Sequence, residues 1–174
     1  MEHKIFGITG WKNNGKTTMT ERVVAELTSR GYKIATIKHA HHDFDIDVEG
    51  TDSWRHRQAG AGEVAVVSAN RWAFIHENLD EDEPHMAVIL SHFSPCDLIV
   101  VEGYKREGHD KLEIRREGGK RGENLSLNDP HIVAVASDMD QSNETLPVFD
   151  IDDIIAISDF IENHMDLHKN KLGD

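Results

Sequence analysis

The segment Gly10-Trp11-Lys12-Asn13-Asn14-Gly15-Lys16-Thr17 constrains this chain more than any other. It spells G-x-x-x-x-G-K-T between two segments of different periodicity. Lys4-Ile5-Phe6-Gly7-Ile8-Thr9 reads as a buried strand, and the residues from Thr17 to Leu27 read as a helix. Strand, glycine loop and helix in that order form a phosphate cradle. The glycines let the backbone wrap closely and turn its N–H groups inward, while the helix N-terminus adds the positive end of its dipole. Gly10, Asn13, Asn14, Gly15, Lys16, Thr17 and Thr18 are therefore the candidate ligand residues. Lys16 reaches terminal phosphates, and the Thr17 hydroxyl takes a place on Mg²⁺. A chain built around this loop binds a nucleoside triphosphate.

The rest of the pattern fits the same kind of fold. The first helix is expected to end near Arg30, with Gly31 as its cap. Lys33–Lys38, Glu63–Ser68, Trp72–His76, Asp97–Gly103 and Ile132–Ala136 read as strands. Asn70-Arg71 reads as a hairpin turn, which predicts an antiparallel extension over residues 63–77. Helices are expected at Asp52–Ala59, from an acidic start at Asp80–Pro84 to about Phe93, and from Asp150 to about His168. Lys111–Arg116 alternates apolar and charged residues, as an edge or half-exposed strand does. Residues 117–129 are Gly-rich and polar and read as a mobile loop. Strands alternating with helices predict a doubly wound α/β fold with a mostly parallel sheet. At 174 residues, a single nucleotide-binding domain spanning 1–174 is expected.

Charge narrows the partners. The formal net charge is −13, which argues against nucleic acid or an anionic membrane as the main partner. Aromatic content is only 6 %, so the core should be aliphatic, with Trp54, Trp72 and Phe74 expected in the core or at a subunit interface. The N-terminus has no apolar signal region, and no apolar run is long enough to span a bilayer. Cys96 is the only cysteine, so a reducing, cytoplasmic setting is the expectation.

Other candidate site residues stand at strand ends. Glu102 closes the apolar run Leu98-Ile99-Val100-Val101, at the sheet edge where such folds bind ligands, and there it can hold the Mg²⁺ shell opposite Thr17. Lys38 ends the second strand on that edge, within reach of an anion or else merely solvated. His39–Asp47 is rich in possible ligands, but its spacing matches no zinc pattern. It reads either as a loop over the phosphates, bringing Asp43 and less directly Asp47 near the nucleotide, or as a solvated acidic loop. Asp52, opening the next helix, competes for the Mg²⁺ role. Asp138 follows the last core strand and can accept from guanine N1–H and the 2-amino group, or can serve as a turn or cap aspartate. Lys105, Arg106, Lys111, Arg115, Arg116, Lys120 and Arg121 form the one basic stretch, the best place for an anionic ligand in so acidic a chain.

Several of these segments occur together in one known family. The phosphate loop, Lys38-His39-Ala40-His41-His42-Asp43, Gly50-Thr51-Asp52-Ser53, Asn70-Arg71-Trp72, Val101-Glu102-Gly103-Tyr104-Lys105 and Ala134-Val135-Ala136-Ser137-Asp138 stand in the order in which they occur there. Together they resemble the MobB family of molybdopterin-guanine dinucleotide biosynthesis adaptor proteins. The K-H-x-H-H-D segment discriminates, because many enzymes share the phosphate loop. The resemblance implies a GTP-binding, Mg²⁺-dependent homodimer with weak GTPase activity at most. Its partner would be the MobA-type guanylyltransferase that converts molybdopterin to its guanine dinucleotide. It supports Gly15, Lys16, Thr17, Glu102 and Asp43 as nucleotide-site residues. A wider similarity to dethiobiotin-synthetase-type P-loop ATPases supports Lys38, Asp52 and Glu102, although the lysine of dimeric "deviant" phosphate loops is replaced here by Trp11. Two other readings remain open on sequence: a small-molecule kinase or ligase of the dethiobiotin-synthetase type, and a metal-delivery GTPase using His39–Asp47.

Overall fold

A computed structural model describes residues 3–40, 44–79, 82–105, 107–120 and 122–168. Strand β1 (Ile5–Gly10) runs into the glycine loop and helix α1 (Lys16–Ser29), followed by β2 (Ile34–Lys38). Then come α2 (Asp52–Gln58), the strands β3 (Glu63–Val67) and β4 (Trp72–His76), and α3 (Met86–Ser91). The chain continues through β5 (Leu98–Glu102), β6 (Lys111–Arg115), β7 (Ile132–Ser137), β8 (Val148–Asp150) and α4 (Ile154–His164). These elements fall into two units, one within Met1–His39 and Phe93–Asp174 and the other within Ala40–His92.

The first unit holds a six-stranded parallel sheet in the order β2-β5-β1-β6-β7-β8. β1 lies in its interior, with β5 and β2 on one side and β6, β7 and β8 on the other. The loop after β1 therefore opens between the ends of β5 and β6, the place where α/β sheets of this kind bind ligands. One face is aliphatic, as composition predicts. Phe6, Ile8, Val100, Leu112, Ile114 and Ala134 pack there against Met19, Val23 and Leu27 of α1 and Ile157 and Ile161 of α4. The four-residue spacing of those α1 residues puts them on one helix face. Burying each of the large side chains stabilises the fold by about 1.5–3 kcal/mol before entropy is counted.

The helix ends follow local rules. Gly31 has φ +95°, its N–H reaches the Thr28 carbonyl, and the Tyr32 N–H reaches that of Leu27. This paired closure needs a left-handed residue, which glycine supplies without a Cβ clash. At the start of α4, the Asp153 carboxylate accepts from the Ala156 N–H at 3.0 Å.

Four expectations change. β6 is not an edge strand: it lies between β1 and β7, with Lys111, Glu113 and Arg115 all 5 % exposed or less. Its charged residues are buried because each finds a partner. Lys111 Nζ meets Asp129 at 3.0 Å, and Arg115 meets Glu113 at 2.8 Å and Glu144 at 2.7 Å. The loop expected to be mobile is tied down by the same strand. Glu113 accepts from the N–H groups of Leu125 and Ser126, which begin a 3-10 helix at Leu125–Leu127. The C-terminal helix starts at Ile154 rather than Asp150, because Val148–Asp150 adds the edge strand β8 beside β7. The helix after the acidic segment begins only at Met86. Pro84 disfavours helical backbone at the residue before it, and Asp80 and Glu81 lie outside the described residues.

In the second unit, β3 and β4 form the expected antiparallel hairpin, with Val67 opposite Trp72 and the Ser68 N–H closing onto the Arg71 carbonyl. Trp72 and Phe74 are exposed there rather than in a core.

Candidate functional site

The loop between β1 and α1 has the backbone that its sequence demands. Gly10 (φ +151°) and Gly15 (φ +86°) carry positive φ, as does Asn13 (φ 67°). A Cβ on Gly10 would stand 2.6 Å from the Ile114 carbonyl oxygen of β6, so only glycine lets the loop turn so close to the sheet. Asn14 is buried and donates to that same carbonyl at 3.1 Å. Gly15 stands immediately before the first residue of α1, so the loop delivers the helix N-terminus into the cavity.

Lys16 and Thr17 follow on the first turn of α1. Lys16 Nζ donates to the Trp11 carbonyl at 3.0 Å, which keeps the ammonium folded over the loop. Burial, then Lys105, push its pKa below the ordinary lysine value, with Glu102 opposing them. Thr17 Oγ1 donates to Glu102 Oε1 at 2.8 Å. The register makes this pair: Glu102 is the last residue of β5 and sits beside Ile8 of β1, just below the loop. Lys38, paired with Glu102 across β2 and β5, brings its Nζ to 3.9 Å from Oε1. Gly103 (φ +95°) turns the chain away, with His39 packed against it.

Asn13, Gly15, Lys16, Thr17, Thr18, Glu102 and Arg116 line a cavity of about 280 Å³. The hydroxyl of Thr17 and the carboxylate of Glu102 are hard oxygen donors of the kind Mg²⁺ takes alongside phosphate oxygens. Thr17, Lys38 and Glu102 thus stand together beside the loop.

The basic stretch named in the sequence brings further cations here. Lys105 Nζ lies 4.3 Å over the Trp11 ring, a cation–π contact. The indole N–H of Trp11 donates to the Glu123 carbonyl at 2.9 Å, and the Lys120 N–H reaches the Lys12 carbonyl. Burial, then Lys120, lower the Lys105 pKa. Arg116 completes the cavity wall. The basic stretch thus divides: Lys105, Arg116 and Lys120 turn to the loop, while Lys111 and Arg115 are consumed inside the sheet. Strand register, not composition, decides which is which.

Asp138, Asp52 and Asp43 are the remaining candidates. Asp138 is exposed at the end of β7, where one carboxylate oxygen accepts from the Glu117 N–H at 2.7 Å and the other lies 3.7 Å from Arg116 Nε. Asp52 opens α2 in the second unit. Asp43 lies outside the described residues, as do His41 and His42. Asp45 and Asp47, the described acids of the histidine-rich segment, both bind Arg57, at 2.6 and 2.9 Å. Among the described residues, no group of three His, Cys, Asp or Glu side chains is placed to hold a metal ion, and no helix is long and apolar enough to cross a membrane.

The model of one protein family, MobB (molybdopterin guanine dinucleotide synthesis protein B), matches residues 5–138. The chain is 38 % identical over 164 residues to the molybdopterin-guanine dinucleotide biosynthesis adapter protein of Escherichia coli strain K12, covering 92 % of this chain and 93 % of that protein. It is 35 % identical over 160 residues to the adapter protein of Haemophilus influenzae, covering 91 % and 88 %. Among solved structures it is similar to Bacillus subtilis MobB, with a TM-score of 0.72 and 25 % identity over 92 % of this chain and 96 % of that one. The family match runs from the first residue of β1 to Asp138, and so contains the phosphate loop, Glu102 and Arg116. With the sequence resemblance, the sheet order and the loop geometry in agreement, the chain belongs to the MobB family.

Proposed function

We propose that this chain is a GTP-binding adapter in molybdopterin-guanine dinucleotide biosynthesis, one that holds nucleotide for a guanylyltransferase and turns it over weakly at most. The observation that carries the nucleotide half is the Thr17–Glu102 contact of 2.8 Å beside Lys16 at the start of α1. In this reading the loop from Gly10 to Thr18 wraps the phosphates, with Asn13 and Gly15 in the left-handed turn. Lys16 leaves the Trp11 carbonyl for the terminal phosphate oxygens. Lys38 adds positive charge at the rim. Thr17 and Glu102 would hold Mg²⁺, which when bound neutralises charge on the β- and γ-phosphates.

Slow turnover fits the same geometry. Glu102 is the carboxylate among the described residues lining the cavity, and it is already engaged by Thr17. That leaves it poorly placed to orient an attacking water. Asp43 and Asp52 stay in the proposal as nucleotide-side residues on sequence grounds.

The adapter half rests on family membership. Its proposed partners are a MobA-like transferase and molybdopterin, in the cytoplasm. A homodimer belongs to the same reading, with the exposed Val67, Trp72 and Phe74 of the hairpin as apolar contact surface.

The test is equilibrium GTP binding, with and without Mg²⁺, followed by addition of the protein to a guanylyltransferase supplied with molybdopterin. The parent chain is expected to bind GTP and raise guanine dinucleotide formation, and Lys16→Ala to do neither. A parent that neither binds GTP nor alters product formation refutes the proposal.

A further inference from the structure

Arg116 has no part in the phosphate-loop motif, yet it lines the same cavity as Lys16, Thr17 and Glu102. Register explains its position. Gly10 pairs with Ile114, so the chain leaving β6 passes directly beside the loop that leaves β1. A Cβ on Gly15 would stand 3.5 Å from Arg116 Nη1. Register also supplies its neighbour. Arg115 pairs with Ser137, so the next residue on each strand, Arg116 and Asp138, meet at the same sheet edge. One Asp138 oxygen is fixed by the Glu117 N–H at 2.7 Å, and the other faces Arg116 Nε at 3.7 Å.

We infer that Arg116 is a second cationic contact to the terminal phosphate of the bound nucleotide, supplied from within the same chain, and that Asp138 positions it. A guanidinium offers a planar fork that matches phosphate oxygens, and its charge is independent of pH. At 52 % exposure the side chain keeps freedom to settle onto an anion, while the carboxylate behind it limits where it can point. Lys16 approaches from the loop side and Arg116 from the β6 side. A γ-phosphate adds anionic oxygens that a diphosphate lacks, so the pair favours triphosphate over diphosphate. Asp138 then acts on the phosphates through Arg116, and reading of the guanine base is the competing role for the same carboxylate.

This inference rests on the proposed nucleotide-binding function, and the experiment separates the two. GTP, GDP, ATP and inorganic tripolyphosphate are titrated calorimetrically, with Mg²⁺, into the full chain and into Arg116→Ala, Arg116→Lys and Asp138→Ala. Melting of the nucleotide-free proteins checks that each variant folds. Arg116→Ala is expected to weaken GTP and tripolyphosphate about 10- to 100-fold, as loss of a charged hydrogen bond does. GDP should weaken less than about three-fold, and Arg116→Lys should fall between. Asp138→Ala should lower the GTP-to-GDP preference in the same direction and leave the GTP-to-ATP preference unchanged. Equal losses for GTP and GDP in Arg116→Ala, or none, overturn the phosphate contact. A GTP-to-ATP preference that collapses in Asp138→Ala while GTP-to-GDP discrimination persists overturns the positioning role. If the parent chain binds none of the four ligands, the nucleotide-binding function itself fails.

Discussion

Replacing Arg115 with methionine tests the most consequential packing feature of the sheet. Arg115 is 5 % exposed on the interior strand β6, where Nη2 reaches Glu113 at 2.8 Å and Nη1 reaches Glu144 at 2.7 Å. Two carboxylates therefore share one guanidinium in a water-poor site. Arg115→Met preserves most of the side-chain volume but leaves both acids without their counter-charge. Removing one partner of a buried ion pair costs about 3–5 kcal/mol, a large fraction of the roughly 5–15 kcal/mol that holds a domain together. Urea unfolding followed by circular dichroism should show that loss at pH 7 with the denaturant slope unchanged.

The pH dependence has a definite sign. In the parent chain, burial pushes the Glu144 pKa up, but the hydrogen bond to Arg115, the N–H groups of Thr145 and Leu146 and the Arg115 charge together outweigh it and hold the carboxyl below the usual range. That stabilisation is present above the unfolded pKa and is lost as pH falls through the lowered folded value. In the variant burial still pushes the pKa up and only the N–H groups of Thr145 and Leu146 oppose it, so the deficit is largest near neutrality and narrows on acidification. Adding Glu113→Gln and Glu144→Gln to Arg115→Met should recover more than half of the loss, because the stranded charges are gone. A cost below about 1 kcal/mol at pH 7 refutes the reasoning, since that is what an exposed charge on a half-solvated strand would give.

Two glycines separate conformational from steric cost. Gly31→Ala meets no atom within 4 Å, so its φ of +95° alone should cost about 1–2 kcal/mol of stability, with GTP affinity unchanged. Gly10→Ala adds a 2.6 Å clash with the Ile114 carbonyl, and should both destabilise the protein more and abolish GTP binding in calorimetry; retained affinity refutes the close-approach argument. Glu102→Gln keeps an acceptor for Thr17 but removes the charge, so Mg²⁺-dependent GTP binding should fall about tenfold or more while Mg²⁺-free binding changes little. An equal change with and without Mg²⁺ removes Glu102 from the proposed metal shell.

Much of the fold was legible because the signals were local. The strand before Gly10, the helix after Gly15, the Gly31 cap and the 63–77 hairpin each follow from a few adjacent residues whose backbone preferences agree. Glu102 was legible for a related reason: an apolar run ending in a carboxylate has few places to stand other than a strand end. Lys111–Arg115 was misread because alternation reports which side chains share a face, and says nothing of whether that face meets water or partners. Its partners Asp129 and Glu144 arrive from 18 and 29 positions further along the chain, counting from Lys111 and from Arg115 in turn. The edge strand β8, only three residues long, has too short a pattern to register.

The sequence by itself determined that a glycine loop of pattern G-x-x-x-x-G-K-T stands between the first strand and the first helix, that Lys16 and Thr17 open that helix, and that the chain resembles one family of cofactor-assembly adapters. Those conclusions need only contiguous residues, since a glycine loop between strand and helix has one stable way to present its N–H groups. Only the tertiary structure decided which charges stand around the loop. β6 beside β1 carries Arg116 to the cavity and Arg115 into the sheet, although the two are adjacent in sequence. Successive residues on a strand point to opposite faces, and which face borders the glycine loop is set by the pairing of strands about a hundred residues apart, a property no local pattern encodes.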